Sequence, residues 1–280
     1  MGLEPIAPIL TAPLFLPLHA ELLALLRSLG PGDWERPTSA GRWRVRDVAA
    51  HLLDGDLRKL SAHRDGHLVA PPGPLRDARE LTAFLNDLNA RWIDAARRLS
   101  PRSIVDLLAF TGPEVAGFVE GLDPFGQSLF AVAWAGEESS LNWLDTGREY
   151  TERWHHQQQI REAVGAASLT DREWLRPVFE VSVHALPATY RNVSAAPGTA
   201  VSVAISGEAG GTWSLLREAE GWRLWRGRAT APAALIRLDQ DGAWRLFFKA
   251  LPPASAVERV AFEGDVSLAK PYLGSLAVMA

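Results

Sequence analysis

Glu152-Arg153-Trp154-His155-His156 lies within a run from about Leu141 to Val164 that reads as one long helix, closed by Gly165 as its natural C-cap. On a helix, residues i and i+4 sit about 40° apart with their side chains stacked one turn above the other. Glu152 and His156 therefore share a face, and His155 points about 100° away from His156. A carboxylate oxygen and an imidazole nitrogen so placed can reach one ion, and that donor pair suits zinc as well as iron, nickel or manganese. The same spacing also occurs as an ordinary surface pair on amphipathic helices, so taken alone it leaves both readings open.

Working outward, the segment N-terminal to this helix is helical too. Leu18, Leu22, Leu23, Leu25, Leu26 and Leu29 recur near the helical period over roughly Leu14 to Leu29, and Gly30-Pro31-Gly32 ends that run. A Pro/Gly-punctuated loop from Asp33 to Trp43 leads into a helix expected from Val45 to about Arg64, with Val48, Ala49, Leu52, Leu53, Leu57 and Leu60 on one face. His51 is embedded there. It is either a third ligand or a core histidine satisfied by Asp47 and Asp54, at i−4 and i+3. After the stop at Pro71-Pro72-Gly73-Pro74, helices are expected from about Asp77 to Leu99 and from Ser103 to Glu120, with an irregular stretch around Phe130 to Trp134. Several helices joined by loops make a bundle, and bundle cores are where facing helices build metal sites.

The pattern changes after Ala166. Residues 199–205 and 222–225 alternate in the two-residue period of strands, and helical signals return at Thr230 to Leu235, Asp241 to Ala250 and Leu268 to Ala280. The chain is accordingly an α+β protein, with a helical bundle over residues 1–168 and a smaller α+β domain over 176–280.

Composition narrows the function. The 280 residues include 47% hydrophobic and 22% charged side chains with a formal net charge of −4, and the two signs are interspersed, so no nucleic-acid surface is advertised. The absence of cysteine excludes disulfides, thiolate ligands and a cysteine nucleophile, and any sulfur chemistry must use a thiol brought from outside. The apolar run Pro8 to Leu16 lacks a basic n-region and is broken by prolines, and no stretch reaches the roughly 18–20 apolar residues of a membrane span. A cytoplasmic protein is expected, and its oligomeric state is left open.

Three segments carry a resemblance to a known family. Trp34-Glu35-Arg36-Pro37-Thr38 with Gly41-Arg42-Trp43-Arg44-Val45-Arg46-Asp47-Val48-Ala49-Ala50-His51-Leu52 resembles the N-terminal signature of the mycothiol-dependent maleylpyruvate isomerase family, within the DinB-like bundle superfamily. Thr151 to Arg161 is similar to that family's second metal segment. The closing Phe262 to Ala269 and Leu276 to Ala280 resemble its sterol-carrier-like C-terminal domain.

The resemblance implies a DinB-like four-helix bundle holding Zn2+, or another divalent metal, on His51, Glu152 and His156. The remaining position would go to water or to a low-molecular-weight thiol of the mycothiol type acting as cosubstrate on a small electrophile. It also implies a functional arginine in the C-terminal domain near a Trp-Leu-Leu-type helix; this chain departs from that pattern with Trp244-Arg245-Leu246-Phe247-Phe248-Lys249, where Arg245, Lys249 or neither fills the catalytic role and each also reads as an ordinary solvated helix charge. Coordination lowers a thiol's pKa and presents a thiolate, which suits an isomerase or a thiol transferase.

Two other readings keep parts of this frame. Metal-bound water would make the protein a hydrolase, for which the sequence offers no separate general base. A non-enzymatic small-ligand binder would need no open ion, and structural zinc sites are usually closed and rich in the cysteine this chain lacks. Gln159 lies toward the Glu152 and His156 side as a candidate outer partner, and Trp134, Trp143 and Trp154 are candidates for core or for lining a cavity.

Overall fold

Phe15, Leu18, Leu22, Leu25 and Leu26 are all buried, and the helix they define, α1, runs Phe15–Ser28. The computed structural model describes residues 2–277 apart from 72, 74, 75, 77 and 252. The prolines at 72 and 74, the helix start at Asp77 and the end of the last expected segment at 278–280 lie outside the described residues.

Four more helices follow. These are α2 (Val45–Arg58), α3 (Ala78–Ala96), α4 (Pro101–Glu120) and α5 (Asn142–Val164). Each boundary has a local cause. At α2 the Asp47 carboxylate accepts the Arg44 backbone N–H at 3.0 Å. At α4 Ser100 Oγ accepts the Ser103 N–H at 3.1 Å ahead of Pro101. At the end of α5 Gly165 takes φ 71, so Ala166 N–H reaches the Arg161 carbonyl at 2.9 Å and Gly165 N–H the Glu162 carbonyl at 3.3 Å. That is the paired C-terminal closure for which glycine is chosen.

The helix expected from Val45 to Arg64 is not uniform. It turns α-helical to Arg58 and then continues as a π turn over Lys59–Arg64, which buries Lys59 and Leu60 and leaves Leu57 exposed, against the expectation that Leu57 faces the core.

The chain forms two compact units. Among the described residues the helical one comprises 10–129 and Glu152–Ser168; the other comprises Phe130–Thr151 and 169–277, with the N-terminal stretch up to Ile9, so α5 contributes to both. In the helical unit α2 packs on α3 and α4, and α4 packs on α1. Its core gathers Leu22, Leu26, Trp34, Val48, Leu53, Ile93, Ile104 and Leu108, and from α5 Ile160. Gly112 in α4 is required there, because a Cβ at that position would meet the His19 ring at 2.1 Å, where His19 Nε2 contacts the Leu108 carbonyl at 2.9 Å.

The second unit carries a six-stranded mixed sheet. Its strands are β1 (Glu4–Pro5), β2 (Ala200–Ser206), β3 (Gly211–Arg217), β4 (Trp222–Arg226), β5 (Ala234–Asp239) and β6 (Ala261–Gly264), in the order β1-β4-β3-β2-β5-β6. Only β2 and β5 run parallel, with Val201 opposite Ala234 and Val203 opposite Ile236. This corrects the expected helix over Thr230 to Leu235. Ala234, Leu235 and Ile236 are all buried, and a strand buried on both faces reads as a continuous apolar run that periodicity cannot tell from helix.

The helices of this unit are α6 (Arg172–Ser182), α7 (Ala185–Tyr190), α8 (Gln240–Phe247), α9 (Pro253–Arg259) and α10 (Val266–Ala269). The helix expected over Leu268 to Ala280 is also corrected. After α10 the chain tightens into a 3-10 turn over Lys270–Gly274, where Pro271 has no N–H to continue an α-helix. Glu180 ties α6 to the sheet, its buried carboxylate taking Arg226 at 2.6 and 2.8 Å and Arg176 Nε at 2.7 Å. Among the described residues no helix is long and apolar enough to cross a membrane.

His184, between α6 and α7, stands edge-on to Trp143 at 5.2 Å, and its Nε2 is buried without a hydrogen-bond partner. Burial pushes its pKa down to about 4 from 6.5. A folded pKa below the unfolded one means that acid favours the unfolded chain. This stability is intact above about pH 6.5 and is lost progressively as pH falls toward 4. Urea titrations at about pH 7 and pH 5 are expected to show the wild type losing about 2 kcal/mol more than His184→Leu over that interval. Equal losses in the two proteins would count against a neutral buried ring.

Candidate metal centre

Three side chains from two helices distant in sequence meet inside the helical unit. His51 comes from the middle of α2, and Glu152 and His156 come from successive turns of α5. Glu152 Oε1 stands 2.9 Å from His156 Nε2 and 3.3 Å from His51 Nε2, and one donor atom from each residue lies within 4.8 Å of the others. The two imidazoles meet edge to face, with ring centroids 4.6 Å apart.

The loop before α2 builds one wall of the site. Gly41 at φ 62 turns the chain, Thr38 N–H and Thr38 Oγ1 donate to the Trp43 carbonyl at 3.0 and 2.7 Å, and Val45 N–H donates to the Arg36 carbonyl at 3.0 Å. These bonds hold Trp43 just ahead of α2, with its ring 4.9 Å from that of His51 and 6.3 Å from that of His156. The glycine and the Thr38-to-Trp43 spacing are the readable signals of a turn. That the indole lies against both histidines is a tertiary fact the spacing did not contain.

Burial and charge pull the three groups in different directions. His51 is 6% exposed, and burial lowers its pKa although Glu152 opposes the shift. At His156, 9% exposed, burial also works against the charged ring, but the Glu152 carboxylate and the Gln159 amide outweigh it and the pKa rises. Burial would raise the Glu152 carboxyl, yet the two imidazoles hold it well below the usual carboxylate range. The Glu152 side chain remains 37% exposed, so the site has one face toward solvent.

Neither Asp47 nor Asp54 serves His51. Asp47 caps α2 and Asp54 pairs with Arg58 at 3.0 Å, while His51 Nδ1 is buried with no hydrogen-bond partner. The reading of His51 as a core histidine satisfied by those aspartates is therefore set aside. His156 Nδ1 contacts Gln159 Oε1 at 2.7 Å, which leaves Nε2 turned toward Glu152. Two imidazole nitrogens and one carboxylate oxygen, without cysteine, are a donor set that fits zinc or a similar divalent ion and leaves coordination positions over.

Below this cluster, on another face of α5, the fully buried Asp56 carboxylate accepts from Arg153 Nη1 and, at 2.6 Å, from Thr111 Oγ1. The Arg153 guanidinium also lies 5.5 Å from the centre of the Phe15 ring. Sequence reasoning missed this network because its members sit on three helices. Among the tryptophans proposed for core or cavity, Trp154 is fully buried, and Trp134 and Trp143 pack on Val132, Leu144 and Val181 in the sheet unit.

Arg245 and Lys249 belong to the sheet unit. Arg245 on α8 places its guanidinium 4.2 Å from the centre of the Trp244 ring and its Nε 3.0 Å from Asp241. Lys249 follows α8 at φ 55, the single non-glycine residue in the left-handed region among those described, and Ala250 N–H closes the helix on the Arg245 carbonyl at 2.7 Å. A lysine there is held at a cost of roughly 1–2 kcal/mol that a glycine would not incur.

Comparison with known proteins gives a consistent picture. The family model for the mycothiol maleylpyruvate isomerase N-terminal domain matches residues 15–161, a span that contains His51, Glu152 and His156. Two crystal structures of mycothiol-dependent maleylpyruvate isomerase, one of them of a point mutant, superpose at a TM-score of 0.51 with 10% sequence identity. Each match covers 84% of this chain and 86% of that chain, which is a likeness of fold. No curated protein matches the chain.

Proposed function

Since the chain belongs to the mycothiol maleylpyruvate isomerase N-terminal domain family, we propose that it is a metal-dependent enzyme that activates a low-molecular-weight thiol of the mycothiol type. The thiol is directed at a small electrophile, in an isomerase or thiol transferase reaction. The observation that carries this reading is the convergence of His51, Glu152 and His156, drawn from two helices within the family-matched span. A divalent ion bound there, with zinc as the default, supplies Lewis acidity that favours the thiolate form of a coordinated thiol.

The chain's own residues shape the rest. Two imidazoles and one carboxylate carry a single formal negative charge, so His51, Glu152 and His156 would hold a divalent ion without neutralising it. The buried histidines fix the inner side, Trp43 excludes water on one flank, and the exposed face at Glu152 is the route by which a bulky thiol approaches. Sulfur added reversibly to a cis double bond leaves a single bond free to rotate, so elimination gives the trans isomer and returns the thiol.

Arg245 and Lys249 are the candidates for binding an anionic group of the electrophile. Arg245 has its Nε and guanidinium plane fixed by Asp241 and Trp244, which reduces the rotamer freedom it would lose on binding a carboxylate. A reaction that depends on a free thiol places the protein in the reducing cytoplasm.

The test is a turnover assay on zinc-reconstituted protein with maleylpyruvate and mycothiol, omitting each in turn. Cis-to-trans conversion is expected only when zinc and thiol are both present. Conversion that proceeds equally well without thiol would overturn the thiol role, and hydrolysis of a panel of esters without added thiol would instead favour the hydrolase reading.

A further inference from the structure

Gln159 follows His155 by four residues and His156 by three on α5, so its amide falls between the two rings. Its Oε1 stands 2.7 Å from His156 Nδ1 and its Nε2 stands 3.4 Å from His155 Nε2. Both contacts are buried. A carbonyl oxygen only accepts and an amide nitrogen only donates, so the pair of contacts places two protons at once. His156 carries hydrogen on Nδ1, and His155 offers Nε2 as an acceptor and carries its own hydrogen on Nδ1.

The consequence falls on the other nitrogen of His156. Nε2 faces Glu152 at 2.9 Å and is the atom that joins His51 and Glu152 in the three-donor cluster. With Nδ1–H committed to Gln159, Nε2 presents its lone pair to the cluster whenever the ring is singly protonated. The reversed amide would set a donor against Nδ1 and leave hydrogen on Nε2, where a cation needs a lone pair.

We propose that Gln159 is a positioning residue of the metal centre, whose amide fixes the tautomer and ring orientation of His156 and is itself anchored on His155. This inference rests on the metal reading above. His155 gives the anchor its rigidity, being 5% exposed in the interior of the unit and four residues before Gln159 on a continuous helix. The amide is therefore held from one side by a core imidazole and spends its acceptor on the other. A side chain that merely filled the space would hold neither proton.

The experiment compares zinc affinity, by competition with a chromophoric chelator, among the wild type, Q159L and Q159E. Leucine keeps the volume and loses both hydrogen bonds, and glutamate keeps the acceptor that Nδ1–H needs. Q159L is expected to bind zinc about 10–100-fold more weakly, with Q159E within a few-fold of the wild type. On the zinc-loaded wild type, long-range 15N–1H spectra are expected to show the His156 proton on Nδ1, a readout that needs no variant to fold.

Equal affinity in Q159L and the wild type, equal losses in Q159L and Q159E, or a His156 proton on Nε2 would each overturn the assignment. A wild type that binds no zinc removes the metal reading and this inference together. A zinc-binding wild type with an indifferent Q159L removes Gln159 alone.

Discussion

His156→Ala is expected to reduce bound zinc from about one ion per chain to a small residue and to lower thiol-dependent turnover by more than about a hundredfold, beyond what losing an outer partner costs. The geometry gives the reason. Glu152 Oε1 has its shortest contact with His156 Nε2, and without that ring the carboxylate and His51 offer two donors from different helices. Two ligands cannot hold a divalent ion against water with comparable affinity. His51→Ala should fall by a similar factor, and the double variant should be little worse than either, because the donors act as one unit. Elemental analysis after reconstitution and dialysis reads the metal, and the assay above reads turnover. Full zinc occupancy in His156→Ala would show that the cluster is an ion-pair network and nothing more.

Asp56→Ala is expected to destabilise the helical unit by about 3–5 kcal/mol, the cost of leaving one member of a buried ion pair without its partner. The Asp56 carboxylate is fully buried and takes Arg153 on one oxygen and Thr111 on the other. Its loss leaves the Arg153 guanidinium inside the unit, on the residue next to Glu152. Asp56→Asn should be milder, since the amide oxygen can still accept from Thr111. Urea denaturation followed by helical circular dichroism measures both variants. A loss below about 1 kcal/mol in Asp56→Ala would mean that Arg153 swings to solvent and the pair is dispensable.

Particular residues show how far the sequence could be read. Gly165 announced the end of α5, and its positive φ and paired closing bonds are what that position was chosen for. The spacing of Glu152 and His156 placed them on one face, and the apolar stripe around His51 pointed that residue inward, though not toward Glu152 rather than toward Asp47 or Asp54. The strand β5 is hidden in the sequence because Ala234, Leu235 and Ile236 are buried in succession and the alternation of Arg237 and Asp239 with Leu238 begins only after them, and the π turn after Arg58 carries no composition signal of its own.

Local sequence determined the helices, their caps and the i, i+4 pairing on α5, since those depend on backbone hydrogen bonds and side-chain spacing within a few residues. Only the tertiary structure decided that His51 and Glu152 meet at 3.3 Å across 101 positions of chain, that Trp43 lies over the histidines, and that Asp56 binds Arg153. Such contacts depend on how whole helices pack, which many distant side chains set jointly, so no window of the sequence holds them.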